Sequence, residues 1–284
     1  MIIRLEDITV HGPMAQRNGL RWGAWRARHG DCTSAPGGRP SLQQISCAFT
    51  TGITAIVGPN GAGKSVLLQV LCGLILQDAG QITLDGRTAT QSDLRQAMGY
   101  LPQAFGFYPQ WTARETLRYI ALLRGMVGQK ERERRVTEVL QRTTLAAAAD
   151  RKVGTYSRGM RQAVGIAQVL LGGAPALILD EPTAGLDPEA RNKLRGMLVE
   201  IGQERPVIWA SSLISDAVFA DRVLILARSK NCFWGTPVEL AAAARPLGTD
   251  FLPVPGQDAG SDGTYGPEPL EQGYRAILSR GVSS

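Results

Sequence analysis

Gly58-Pro-Asn-Gly-Ala-Gly-Lys-Ser65 is the stretch whose reading decides the fold. It fits the spacing G-x-x-x-x-G-K-[ST] of a phosphate-binding loop. The flanks agree with it. Gly52 to Val57 is an apolar run suited to a buried strand, and Ser65 to Leu74 reads as a helix. A glycine loop between strand and helix can turn backbone N–H groups inward around an anion, and the helix N-terminus adds partial positive charge there. The candidate phosphate ligands are therefore Gly58, Pro59, Asn60, Gly61, Ala62, Gly63, Lys64, Ser65 and Val66. Lys64 is expected to reach the β- and γ-phosphates of a nucleotide, and the Ser65 hydroxyl to ligate Mg2+.

Length and composition set wider bounds. The 284 residues allow one large domain or two small ones, and 44% hydrophobic residues can fill a core. No apolar run is long enough to span a bilayer, and no leader of secretory type is present, so a cytosolic protein is expected. Cys32, Cys47, Cys72 and Cys232 are scattered without C-x-x-C spacing and are expected as reduced thiols. The net charge of +6 suits ATP, acidic lipid or nucleic acid and selects none of them.

Along the chain, Ile2 to Thr9 alternates as an edge strand would. The pattern breaks from Gly12 to Pro40 and resumes at Ser41. Gln81 to Leu84, with a turn at Asp85-Gly86, completes an N-terminal β region. Arg87 to Leu145 turns helical, including Ala113 to Arg124 and Lys130 to Thr143. Ser157 is an N-cap candidate, and Asp187-Pro188 reads as a cap followed by proline at the first helical position. Ala176 to Asp180, Val207 to Ser211 and Arg222 to Ala227 are further strands. Alternating strands and helices predict an α/β fold with a parallel sheet covered on both faces. Leu252 to Pro269 reads as a linker, and Pro269 to Leu278 as a short amphipathic helix.

Four further segments follow the phosphate loop in a fixed order. They are Met98-Gly-Tyr-Leu-Pro-Gln103, Tyr156-Ser-Arg-Gly-Met-Arg-Gln162, Leu177-Ile-Leu-Asp-Glu-Pro182 and Gly185-Leu-Asp187. As an ordered set they resemble the ATP-binding subunit of an ABC transporter, of the exporter type that pairs with a separate membrane subunit. The resemblance covers about Leu5 to Arg245. It implies a phosphate-loop NTPase core with an N-terminal antiparallel β region and an inserted helical subdomain at about residues 87–170. Residues 1–245 would form the ATPase domain, with 12–40 as an atypical insertion and 246–284 as a linker and closing helix. It implies Asp180 as a Mg2+ ligand through water, Glu181 as the general base, and Gln103 as a group sensing Mg2+ and the attacking water. Ser157, Arg158, Gly159 and Met160 would bind the γ-phosphate of ATP held by a second cassette, beside the dimer loop at Asp187. Two cassettes, homomeric or heteromeric, would then sandwich two ATP molecules at the cytoplasmic face of a membrane. Nucleic acid is not expected as a partner, because this chain has neither paired cassettes nor an extended heptad run.

Three positions depart from the family pattern. Leu213, in Trp209-Ala-Ser-Ser-Leu-Ile-Ser215, stands where relatives carry a histidine that contacts the γ-phosphate. Leucine cannot donate a hydrogen bond, so slow hydrolysis is expected in a homodimer. A nucleotide-gated regulatory or structural subunit is the alternative reading. Val66 replaces a hydroxyl residue that would touch the α-phosphate. The first strand ends at Val10-His11-Gly12-Pro13 without an aromatic to stack on adenine, which leaves Trp22 or Trp25 of the insertion to serve or merely to pack.

Overall fold

The computed structural model describes residues 1–11, 41–243 and 267–280. The strands are β1 (Ile3–Val10), β2 (Leu42–Phe49), β3 (Gly52–Val57), β4 (Ala79–Leu84), β5 (Arg87–Thr88), β6 (Met98–Leu101), β7 (Ala176–Asp180), β8 (Pro206–Ser211), β9 (Arg222–Ala227) and β10 (Lys230–Gly235). They form one ten-stranded sheet in the order β5-β4-β1-β2-β10-β9-β3-β8-β7-β6. From β9 to β6 all neighbours are parallel. From β5 to β2 they are antiparallel. Strand β10 joins the two regions, antiparallel to β9 and parallel to β2.

The apolar runs explain this sheet. A parallel strand is covered on both faces, so its residues need not alternate with polar ones. In β3, Ile53, Ala55 and Val57 enter one core while Ile56 enters the other. In β7, Leu177 and Leu179 are divided from Ile178 in the same way. The helices are α1 (Lys64–Leu71), α2 (Gln91–Ala97), α3 (Ala113–Leu123), α4 (Gln129–Arg142), α5 (Arg158–Leu171), α6 (Pro188–Gly202), α7 (Pro237–Ala242) and α8 (Pro267–Arg280). Leu67 and Leu68 of α1 and Leu94 of α2 fill one core, and α3 to α8 pack into the other.

One expectation is corrected. β1 is not an edge strand: it pairs with β2 on one side and β4 on the other. Alternation reveals one buried face, but carries no information on whether both hydrogen-bonding edges are used. Between residues 87 and 145, α2, α3 and α4 are helical, with the two-residue β5 before them and β6, the short strand leading to Gln103, paired with β7 from Met98 to Leu101.

The C-terminal helix α8 is docked. Leu270 is fully buried, and Gly273 lies so close to the α7 backbone that a Cβ there would strike the Leu240 carbonyl. The insertion at 12–40, with Trp22 and Trp25, and the linker at 246–266 lie outside the described residues.

Candidate nucleotide-binding site

The loop from Gly58 to Gly63 joins the end of β3 to the start of α1. Gly61 and Gly63 have φ values of 79° and 102°, conformations that side chains resist. A Cβ at Gly63 would also lie 2.6 Å from the Ser41 carbonyl oxygen. The Ala62 N–H donates to the Pro59 carbonyl at 3.2 Å and closes the turn. Gly63, the N-cap of α1, offers no side-chain cap. The N–H groups of Lys64, Ser65 and Val66 precede the helical ladder, which starts with Leu67 N–H on the Gly63 carbonyl at 2.9 Å.

Helix starts elsewhere carry a carboxylate in the first turn: Asp93 in α2, Glu115 in α3, Glu131 in α4, Glu189 in α6, Glu239 in α7 and Glu268 in α8. Among the described α-helices, only α1 and α5 have none. These two ends are left open to an anion that the chain does not supply.

At the α1 end the charges converge. Lys64 is 7% exposed, and its ammonium donates to the Gly58 carbonyl at 2.7 Å and to the Pro59 carbonyl at 3.3 Å. It also stands 3.8 Å from Glu181 Oε1. Burial pulls the Lys64 pKa down, and Glu181 and Asp180 partly restore it. Asp180 ends β7 at 4% exposure. Burial pushes its pKa up, against a smaller opposing pull from the Ser65 hydroxyl. Its Oδ1 is buried and has no hydrogen-bond partner. An orphaned carboxylate oxygen beside a serine hydroxyl suits a divalent cation. Glu181 follows with φ at 50°, a left-handed backbone rare outside glycine. Its amide donates to the Ala210 carbonyl at 2.9 Å, tying the end of β7 to β8.

The other predicted residues form a second group. Ser157 caps α5, accepting from the Met160 N–H at 3.2 Å. Gly159 sits against α6, where a Cβ would lie 2.9 Å from that of Ala190. The Arg158 guanidinium lies over Gly185, whose φ is 67°. Asp187 caps α6 by accepting from the Ala190 N–H at 2.8 Å, with Pro188 at the first helical position. The structure thus brings Ser157–Met160 and Asp187 together, and Lys64, Ser65, Asp180 and Glu181 together. Gln103 is exposed on the bend after β6, the strand paired with β7.

Sequence reasoning missed a buried polar cluster beside the site. Asp216 is fully buried and accepts from the Thr183 and Ser211 hydroxyls, each at 2.6 Å, and from the Arg195 guanidinium at 2.5 Å. Beyond it, the Ser212 hydroxyl donates to Glu181 Oε2 at 3.2 Å. The serine pair at the end of β8 was the one visible signal; Arg195 and Asp216 look like ordinary surface charges in the sequence.

A glycine loop on the parallel strand β3, an uncapped helix and two carboxylates at the end of β7, the next strand but one, define a phosphate-loop nucleotide-binding domain. The comparisons narrow that class. The family described as ABC transporter matches residues 42–184. A probable multidrug ABC transporter ATP-binding protein of Escherichia coli, YbhF, is 34% identical over 218 residues, covering 75% of this chain and 37% of that protein. The linearmycin resistance ATP-binding protein LnrL of Bacillus subtilis is 31% identical over 223 residues, covering 77% of this chain and 70% of that one. The ATP-binding cassette MJ0796, in a dimeric post-hydrolysis state with ADP and phosphate, shares the fold with a TM-score of 0.65 at 22% identity. That alignment covers 82% of this chain and 98% of MJ0796. The chain belongs to the ABC transporter family. Its match spans little more than a third of the length of YbhF.

Proposed function

We propose that this chain binds and hydrolyses ATP as the cassette subunit of a membrane exporter. The observation that carries this reading is the convergence of Lys64, Asp180 and Glu181 on the open N-terminus of α1. The loop N–H groups hold phosphate oxygens, and Lys64 leaves the Gly58 carbonyl for the β- and γ-phosphates. Ser65 and Asp180 would hold Mg2+, which spreads the charge of the phosphates when bound. Glu181 takes the proton of the attacking water, and Gln103 approaches that water from the next strand when the domain closes. Val66 contributes only its backbone N–H, so the α-phosphate is held less tightly than by a hydroxyl residue.

The α5 end serves ATP held by a second copy of the cassette. Ser157, the Gly159 N–H and the first turn of α5 offer it an anion site, while Asp187 fixes the adjacent turn. MJ0796, which shares the fold, is dimeric with ADP and phosphate bound. The multidrug transporter of YbhF and the linearmycin resistance of LnrL support export, at the cytoplasmic face of a membrane and with a separate membrane-spanning subunit. Among the described residues no helix is long and apolar enough to cross a membrane. The alternative of a nucleotide-gated regulatory subunit finds no support among these relatives. Mg2+-dependent ATP turnover by the purified chain, beside Glu181→Gln, tests the proposal. Turnover that disappears in the variant while ATP still binds is the expected result, and turnover unchanged in the variant overturns it.

A further inference from the structure

The geometry points to Ser212 as a positioning residue that holds Glu181 for the attack on ATP, an inference that rests on the proposed role of Glu181 as the base. The Glu181 side chain is held at two points. One oxygen, Oε1, stands 3.8 Å from the Lys64 ammonium, and the other, Oε2, accepts the Ser212 hydroxyl at 3.2 Å. When Lys64 turns to phosphate, Oε1 is freed to face water. Ser212 keeps its hold on Oε2, so the carboxylate stays aimed.

Donor and acceptor share one anchor. Ser211 donates its hydroxyl to Asp216 at 2.6 Å and accepts the Leu213 N–H at 3.0 Å, which fixes the backbone on both sides of Ser212. Thr183, two residues beyond Glu181, donates to the same oxygen of Asp216 at 2.6 Å. Arg195 closes the other Asp216 oxygen and keeps the buried charge paired. A single buried carboxylate therefore sets the Ser212 segment and the Glu181 segment against each other. A buried network that engages both oxygens of Asp216 favours one arrangement of these segments. Leu213 has no polar atom in its side chain, so Ser212 is the group through which this segment reaches the base.

Ser212 itself is exposed and fills no core space, so its removal leaves folding intact. A hydrogen bond of this kind is worth about 0.5–1.5 kcal/mol net, which converts to a loss of roughly 3- to 10-fold in rate. The experiment is steady-state Mg2+-ATP hydrolysis by the full chain carrying Ser212→Ala, Ser212→Thr, Glu181→Gln, or Ser212→Ala with Glu181→Gln. Ser212→Ala is expected to lower kcat by roughly 3- to 10-fold with the KM for ATP and the melting temperature unchanged. Ser212→Thr restores the rate, and Ser212→Ala adds no loss to Glu181→Gln. Full kcat in Ser212→Ala, while Glu181→Gln removes turnover, overturns the inference and leaves the base intact. A fall in kcat that comes with a raised KM or a lowered melting temperature also overturns it. Turnover preserved in Glu181→Gln overturns the base assignment itself, and the inference with it.

Discussion

The two helix ends left open to an anion are built in opposite ways. At α1 the groups are buried and charged: Lys64 and Asp180 are 7% and 4% exposed, and Glu181 is wedged beside them. At α5 Ser157 and Arg158 are exposed, and the helix end is served by a hydroxyl and by backbone N–H groups. Burial strengthens electrostatics and excludes water, which suits bond breaking. An exposed helix end can meet a phosphate carried by another molecule, which suits recognition. The difference supports the proposal of chemistry at the first end and assembly at the second.

Substitutions can break that division. Glu181→Gln removes the proposed base, so kcat should fall by about 100-fold or more while ATP binding persists, as hydrolysis measured beside equilibrium binding would show. Lys64→Ala removes a charge-assisted contact and should weaken ATP binding by roughly 10- to 100-fold, readable by calorimetry. Unchanged affinity would place the phosphates elsewhere. Ser157→Ala should leave ATP binding to a single chain unaltered and weaken ATP-driven association seen by sedimentation. Its cap loss should cost about 1 kcal/mol in unfolding experiments.

The smallest effect concerns stability. Burial raises the Asp180 pKa, so the folded state disfavours its charge. The stability linked to the protonated form is complete below the unfolded carboxyl range and is lost as pH rises through the raised folded value. At neutral pH, Asp180→Asn should therefore stabilise the nucleotide-free chain by about 0.5–2 kcal/mol, while hydrolysis is lost. The gain should shrink as the pH falls into the range where Asp180 itself takes up a proton. A variant no more stable at neutral pH than in acid would contradict the buried-charge account.

The sequence showed the α1 end more fully than its surroundings. A loop and a strand are local, so the motif from Gly58 to Ser65 and the apolar strand ending at Asp180 were readable from the residues, whereas the parts given to Asp180 and Glu181 came from the family resemblance. The caps at Ser157 and Asp187 were legible for the same reason, since a cap acts on a helix three residues away. The edge assignment of β1 failed because pairing on two sides depends on residues as distant as Leu84 and Phe49. The Asp216 cluster was hidden because it joins Thr183, Arg195 and Ser211, whose meeting only the folded chain reveals.

Mixing two inactive variants tests the central claim most directly. One chain carries Lys64→Ala with an intact α5 end, and the other carries Ser157→Ala with an intact α1 end. If each ATP lies between one chain's α1 end and its partner's α5 end, the mixture forms one undamaged site, and turnover should return. A mixture no more active than its separate components would contradict the account.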